Sequence, residues 1–204
     1  MPSTRAVRVD AAAPDPGVIR EAAGVLRGGG LVAFPTETFY GLGAAGLDAD
    51  AARRVFAVKG RPASMPLLLL VDSREMAAAV AAEIPARARE LMDQHWPGPL
   101  TLVLRARPRV PAVVTAGTGT VGLRVPAHAV ARALVRALGE PVTAPSANTS
   151  GAAPPVTAAE VLAQLGGAID LVLDAGATPG GAPSTVLDVT VDPPRVIRPG
   201  AVLV

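Results

Sequence analysis

Three short stretches of the chain hold residues whose types and spacing suit the handling of anions. The first is Lys59-Gly60-Arg61-Pro62. A point-charged ammonium and a planar guanidinium stand two residues apart beside a rigid Gly/Pro turn, an arrangement fitted to phosphate or carboxylate. Composition points to the same place, because 18 of the 19 basic residues are Arg and Lys59 is the one Lys. The second stretch is Thr143-Ala144-Pro145-Ser146-Ala147-Asn148-Thr149-Ser150-Gly151. Its hydroxyls and amide crowd a turn that can meet a nucleotide or a metal-bound phosphate. The third is Pro35-Thr36-Glu37-Thr38-Phe39-Tyr40-Gly41-Leu42-Gly43, where two hydroxyls and a carboxylate follow a short apolar run. Three of the five aromatic residues, Phe34, Phe39 and Tyr40, gather there. Extended backbone would put Thr36 and Thr38 on one side and Glu37 and Phe39 on the other.

Each stretch also has an ordinary structural reading. Cations that end a helix complement its dipole, Ser/Asn/Gly clusters build turns, and aromatics fill cores. Taken singly, the ordinary reading is preferable for the first two stretches, and the two readings stand level for the third. Covalent chemistry is poorly supplied. The chain has no Cys, which removes disulfides, a thiol nucleophile and Cys-based metal sites. His95 and His128 are isolated, which argues against a protein-ligated transition metal, while a Mg2+ carried by substrate phosphates is compatible. No GxSxG is present, and no His stands near a Ser that could serve as nucleophile. Gly41-Leu42-Gly43-Ala44-Ala45-Gly46 matches the dinucleotide pattern GxGxxG, but six residues separate Phe34 from the first Gly. The following helix opens near Asp48, where Asp48 and Asp50 would repel a pyrophosphate.

The elements that must position these stretches alternate between strand and helix with short connections, which predicts an α/β fold in one domain over residues 1–204. Strands are expected at Arg5–Val9, Leu31–Phe34, Leu67–Val71, Leu100–Arg105, Val121–Val125 and Pro141–Ala144, with a strand-rich end at Leu171–Asp174, Ser184–Val191 and Arg195–Ile197. Helices are expected at Pro16–Arg27 behind an Asp15 cap, Asp48–Lys59, Ser73–Ala82, Pro85–His95 and His128–Leu138, and from a Thr157/Glu160 capping box to Leu165. The segment after Pro35 reads as a Gly-rich loop leading into the Asp48 helix. A formal charge of +2 permits an RNA partner without demanding one. No apolar run approaches the roughly 18–20 residues of a membrane span. The N-terminal residues lack the apolar core of a secretory signal, so a cytoplasmic location is expected.

Order and combination narrow the choice. A PTET-x-YGLG stretch, then KxRP, a TVGLR strand ending at Arg124, PSAN-x-SG, STV-x-D from Ser184, and IRPG ending at Gly200 occur in one chain. Six such elements in this order resemble the YrdC/Sua5 family of threonylcarbamoyl-AMP synthases, over about Gly29 to Gly200. The resemblance is to the short form without an additional C-terminal domain. It implies a twisted, mixed parallel and antiparallel sheet with helices on its faces and a concave basic active-site surface. It implies L-threonylcarbamoyladenylate synthesis from ATP, L-threonine and CO2 or bicarbonate with release of pyrophosphate, feeding N6-threonylcarbamoyladenosine formation in tRNA through downstream transfer proteins. Mg2+ would enter with ATP, near Ser146 and Asn148, and direct contact with tRNA or double-stranded RNA would fit the basic surface.

By the same resemblance, Lys59 and Arg61 would be catalytic, binding phosphates and carboxylate. Arg61, Thr120, Ser146, Asn148 and Arg198 would hold ATP, and Thr38, Arg124 and Ser184 would hold threonine. Thr36, Glu37 and Tyr40 are weaker assignments. Three departures stand out: Met65 replaces an Asn expected near ATP, Leu70 a His expected near threonine, and Pro154 a residue expected to bring a hydroxyl to ATP. A non-catalytic RNA-binding module of the same fold, or a carbamoyl-adenylate enzyme with another acceptor, are the alternative readings.

Overall fold

The computed structural model describes residues 3–204. In the first half of the chain lie β1 (Arg5–Arg8), α1 (Pro16–Arg27), β2 (Val32–Pro35), β3 (Tyr40–Gly43), α2 (Ala49–Lys59), β4 (Leu68–Leu70), α3 (Arg74–Val80) and α4 (Ala86–His95). The second half adds β5 (Leu100–Arg105), α5 (Ala112–Thr115), β6 (Thr120–Arg124), α6 (Ala129–Leu138), β7 (Val142–Thr143), α7 (Ala158–Leu165), β8 (Leu171–Asp174), β9 (Thr185–Asp188) and β10 (Arg195–Arg198). Side-chain caps set several helix starts. Asp15 accepts from the Gly17 and Val18 amides at α1, and Asp48 from those of Asp50 and Ala51 at α2. Thr157 and Glu160 form the reciprocal capping box of α7, which satisfies amides the first turn leaves free.

Sequence expectation and structure part company at Gly41–Gly43. This segment is not a loop but β3, an antiparallel partner of β2 with Val32 opposite Gly43 and Pro35 opposite Tyr40. Its Gly43 answers to packing. A Cβ on Gly43 would come within 2.8 Å of Phe34 Cε1 and 3.1 Å of the Val32 carbonyl, closer than a real side chain tolerates. Close approach of backbone to an aromatic ring, rather than a phosphate, accounts for this half of the GxGxxG match. Residues 36–39 are accordingly a tight connection and not extended. The Thr36 amide and hydroxyl both donate to the Phe39 carbonyl, at 3.2 and 2.7 Å. The short α5 was also not anticipated.

Strands run in the order β1-β8-β2-β3 in one sheet and β10-β9-β5-β6-β4-β7 in the other. Both mix parallel pairs, such as β1 with β8 and β5 with β9, with antiparallel ones, such as β2 with β3 and β5 with β6. A seam joins the sheets where β3 meets β7, through bridges Gly41 to Ser146 and Ala45 to Val142. Backbone bonds from Leu42 to the Pro145 carbonyl and from Ala147 to the Tyr40 carbonyl close it.

Period-2 alternation sorts the strand residues onto two faces. On one face Leu102, Leu123, Leu187 and Val172 meet Val55, Leu91 and Val161 from α2, α4 and α7. On the other, Val32, Leu70, Val142 and Leu171 meet Leu26 of α1 and Leu134 of α6. Each fully buried Leu or Val there contributes roughly 1.5–3 kcal/mol. The α1–α6 pair covers only part of this second face. Over β5, β6, β9 and β10 the face carries a cleft instead. Among the described residues no helix is long and apolar enough to cross a membrane.

Candidate active site

The uncovered face forms a cleft of about 870 Å³, within the range of small-molecule sites. Alternation decides its floor. Thr101 and Val103 of β5, Thr120, Gly122 and Arg124 of β6, and Val186 and Asp188 of β9 all turn toward it. Arg195, Ile197 and Arg198 of β10 form one wall. The residue 36–39 turn, the segment Ser64–Leu68 and the turn at Pro145–Ser146 form the others. The cleft therefore draws on residues from both sheets.

Charge is concentrated at one end. The Arg61 guanidinium is held by the carbonyls of Met65 (3.2 Å) and Pro66 (2.9 Å). Burial, then the charge of Arg198, pulls its pKa below the usual guanidinium value. Arg198 is lowered likewise, by burial and then by Arg124. Arg61, Arg198 and Arg124 all line the cleft, where a polyanion would find three guanidiniums pre-positioned.

Arg198 reaches the Ser184 carbonyl through Nε (3.2 Å) and Nη2 (2.7 Å), and Nη2 also donates to the Ser184 hydroxyl at 3.0 Å. The residue expected at ATP thus touches the residue expected at threonine. Ser184 Oγ lies 3.0 Å from Thr101 Oγ1. Thr38 Oγ1 lies 3.1 Å from Thr36 Oγ1. Because Thr36 gives its proton to Phe39, Thr38 donates to Thr36 and keeps its lone pairs for the cleft. At the far end Thr120 pairs with Thr118 at 2.9 Å.

Lys59 behaves differently from Arg61. It is buried, and its Nζ donates to the Ser146 carbonyl (2.5 Å), the Asn148 carbonyl (2.6 Å) and Asn148 Oδ1 (3.1 Å). Burial first, then the Arg61 charge, pushes its pKa down to about 8. Asn148 Oδ1 also accepts from Ser146 Oγ at 2.5 Å, and Asn148 Nδ2 donates to the Ala152 carbonyl at 2.7 Å. Ser146 faces the cleft, whereas Lys59 and Asn148 stand behind it. All three ammonium protons are committed to the 146–148 turn.

Tyr40 is fully buried, and its hydroxyl donates to the Gly176 carbonyl at 2.7 Å, tying β3 to the end of β8. Burial raises its pKa to about 12. Of the three departures, Met65 and Pro154 line the cleft, Met65 half exposed. Leu70 is buried beneath α1 and α6 and does not line it. Among the described residues no group of three or more His, Cys, Asp or Glu could hold a metal. Sequence reasoning missed Thr101, Thr118, Asp188 and Arg195 as cleft residues. A lone Thr inside the apolar strand Leu100–Arg105 was the available signal for Thr101; Arg195 offered none, since an Arg at the start of an exposed edge strand is unremarkable.

The comparisons agree with this geometry. The Sua5/YciO/YrdC family model, which carries the description telomere recombination, matches residues 24–200. A threonylcarbamoyl-AMP synthase of Pyrococcus abyssi is 49% identical over 182 residues, 89% of this chain and 54% of that protein. One of Bacillus subtilis is 42% identical over 185 residues, 90% of this chain and 54% of that protein. The chain therefore spans about half the length of these relatives. The crystal structure of P. abyssi Sua5 complexed with L-threonine superposes with a TM-score of 0.94 at 46% identity, covering 97% of this chain and 58% of that one. Matching motifs, matching fold and a model that spans all the anion-handling stretches lead to one assignment: the chain belongs to the Sua5/YciO/YrdC family.

Proposed function

We propose that this chain joins ATP, L-threonine and CO2 or bicarbonate into L-threonylcarbamoyladenylate, releasing pyrophosphate. The observation that carries the proposal is the convergence of Arg61, Arg124 and Arg198 on one cleft whose floor presents Thr101 and Ser184. Relatives named threonylcarbamoyl-AMP synthase, and a neighbour crystallised with L-threonine, support the choice of substrates.

The chemistry follows from the charge distribution. Threonine carbamate is short-lived and carries two carboxylates, so a site that makes it must hold it beside ATP and limit water. One carboxylate faces Arg124, with the Ser184–Thr101 hydroxyl pair beside it, while Thr38, whose proton goes to Thr36, accepts from a donor group of the amino acid. The carbamate oxygen attacks the α-phosphorus, a new P–O bond forms, and the bond to the β-phosphate bridging oxygen breaks with that oxygen leaving as pyrophosphate. Charge gathers on the phosphates, where Arg61 and Arg198 meet it without moving, while Ser146 Oγ, whose proton goes to Asn148, turns lone pairs toward a phosphate-borne cation. Lys59 and Asn148 hold Ser146 in place. With no nucleophilic side chain in the cleft suited to the task, transfer is direct.

A Mg2+ would enter with the triphosphate, since the described residues offer no carboxylate cluster to hold it alone; the Ser146 hydroxyl would face it, and it would supply charge neutralisation at the phosphates. The reaction belongs to the cytoplasm, where tRNA modification consumes the product through separate transfer proteins. Surface arginines suit a transient RNA contact. Both sheets build the one cleft, which supports reading the chain as a single functional domain.

The assay is pyrophosphate release from ATP with threonine and bicarbonate each omitted in turn. Release that requires both supports the assignment. Release that ignores threonine, or proceeds equally with other amines, removes it.

A further inference from the structure

At the charged end of the cleft stands one ion pair whose geometry is unusual. Arg124 is only 4% exposed. Its Nε donates to the Gly98 carbonyl at 3.1 Å, and its Nη2 lies 2.5 Å from Glu37 Oε1. That contact lacks hydrogen-bond alignment: Arg124 Nη2 and both Glu37 oxygens have no hydrogen-bond partner. A buried ion pair so poorly satisfied contributes little to stability, because desolvation of the two charges offsets their attraction. Its presence calls for another explanation.

Placement supplies one. Arg124 lines the cleft and Glu37 does not, although its neighbours Thr36 and Thr38 do. The carboxylate also acts on His128, at the start of α6, whose pKa it raises against the lowering effect of burial. Glu37 therefore approaches Arg124 from the side away from the ligand space. Arg198 also lines the cleft and feels the like charge of Arg124. Repulsion between guanidiniums favours their turning apart, and a carboxylate behind one of them opposes that turn.

We propose that Glu37 is a positioning residue: it holds the Arg124 guanidinium from behind through Nη2, against the repulsion of Arg198, so that Nη1, engaged by neither Glu37 nor Gly98, meets the amino-acid carboxylate. The assignment rests on the proposed function for the identity of that ligand, but not for the orientation of Arg124. The 36–39 turn thereby acts twice, offering the Thr38 hydroxyl to the cleft and Glu37 to the arginine beneath it.

Two measurements decide the matter. In 15N-labelled protein without substrates, the Arg124 Nε–H, bonded to Gly98, gives a slowly exchanging resonance; Glu37→Gln, nearly isosteric, is expected to speed its exchange or broaden it. In steady-state assays Glu37→Gln is expected to raise the threonine KM roughly tenfold, the scale of a charge-assisted contact, with the ATP KM within about twofold. In an Arg124→Ala background the same change should have no further effect. An unchanged Nε–H resonance overturns the proposal. So do additive effects in the double variant, which would make Glu37 a direct ligand contact, and equal rises in both KM values with a lowered Tm, which would make it structural. If the unmutated protein shows no threonine-dependent turnover, the proposed activity falls, and the substrate-free resonance still decides the role of Glu37.

Discussion

Three acceptors around one nitrogen explain why a chain that otherwise uses Arg retains an ammonium at Lys59. A planar guanidinium cannot direct three protons from one atom into a tetrahedral set of carbonyls. The consequence for pH has opposite signs for stability and activity. With its folded pKa pushed down to about 8 from the ordinary lysine value of 10.5, Lys59 holds fewer protons than in the unfolded chain between those values. Its contribution to stability therefore rises with pH across that window. The neutral amine, however, has two protons for three acceptors, so the 146–148 turn loosens. The ATP KM is expected to climb as pH passes about 8 while Tm shows no matching fall from this group; a KM flat from pH 7 to 9.5 would contradict the account. A second prediction concerns Thr101, whose hydroxyl is shared with Ser184. Thr101→Val removes one hydrogen bond of about 1 kcal/mol, roughly a fivefold rise in threonine KM, read against an unchanged ATP KM. At this scale the sequence was legible where residue types were rare. Lys59, Arg61 and the 146–148 turn could be singled out, and the structure does bring them together. The division of labour between Arg61 in the cleft and Lys59 behind it could not be read, because it depends on which way two neighbouring side chains turn at the end of α2.

Elements with local punctuation were equally legible. Asp15, Asp48 and the Thr157/Glu160 pair each mark a helix start by a side-chain bond confined to one turn, and such signals survive any tertiary context. The strand β3 was not legible, because its Gly43 is demanded by Phe34, Val32 and Val142, residues 9 to 99 positions away along the chain. Local propensity assigns glycine to loops; here close packing overrides it. Gly43→Val tests this directly. The added side chain must displace Phe34 or the β2 backbone, with an expected cost of about 1–3 kcal/mol. Because β3 carries the seam to β7, the same variant should also weaken ATP binding, although Gly43 does not line the cleft. Loss of stability measured by denaturant with unaltered ATP affinity would show that the seam does not support the site.

Across the whole molecule, the ligand space takes residues from both sheets while the two apolar clusters lie on opposite faces of them. The sheets are joined by backbone bonds at the seam and share the larger cluster, so they are expected to melt in one transition. ATP at 100 times its dissociation constant should raise the stability of that transition by about 2.7 kcal/mol. Two resolved transitions, with ATP moving only one, would show that the sheets unfold separately. Mixed parallel and antiparallel pairing and a cleft rich in Arg were anticipated through motif order; the division into two sheets and the strand order were not, since pairing between remote segments leaves no mark on local sequence.

The β1-β8-β2-β3 order has a consequence for how the chain is made. β8 is flanked by strands from the first 35 residues, yet consists of residues 171–174. During synthesis β1 and β2 thus leave the ribosome long before the strand that separates them exists. Through most of translation two strand edges wait without their neighbour, a state exposed to wrong pairing. Completion of the first sheet is therefore a late event, and a nascent chain released before residue 174 would be a client for chaperones rather than a half-built enzyme.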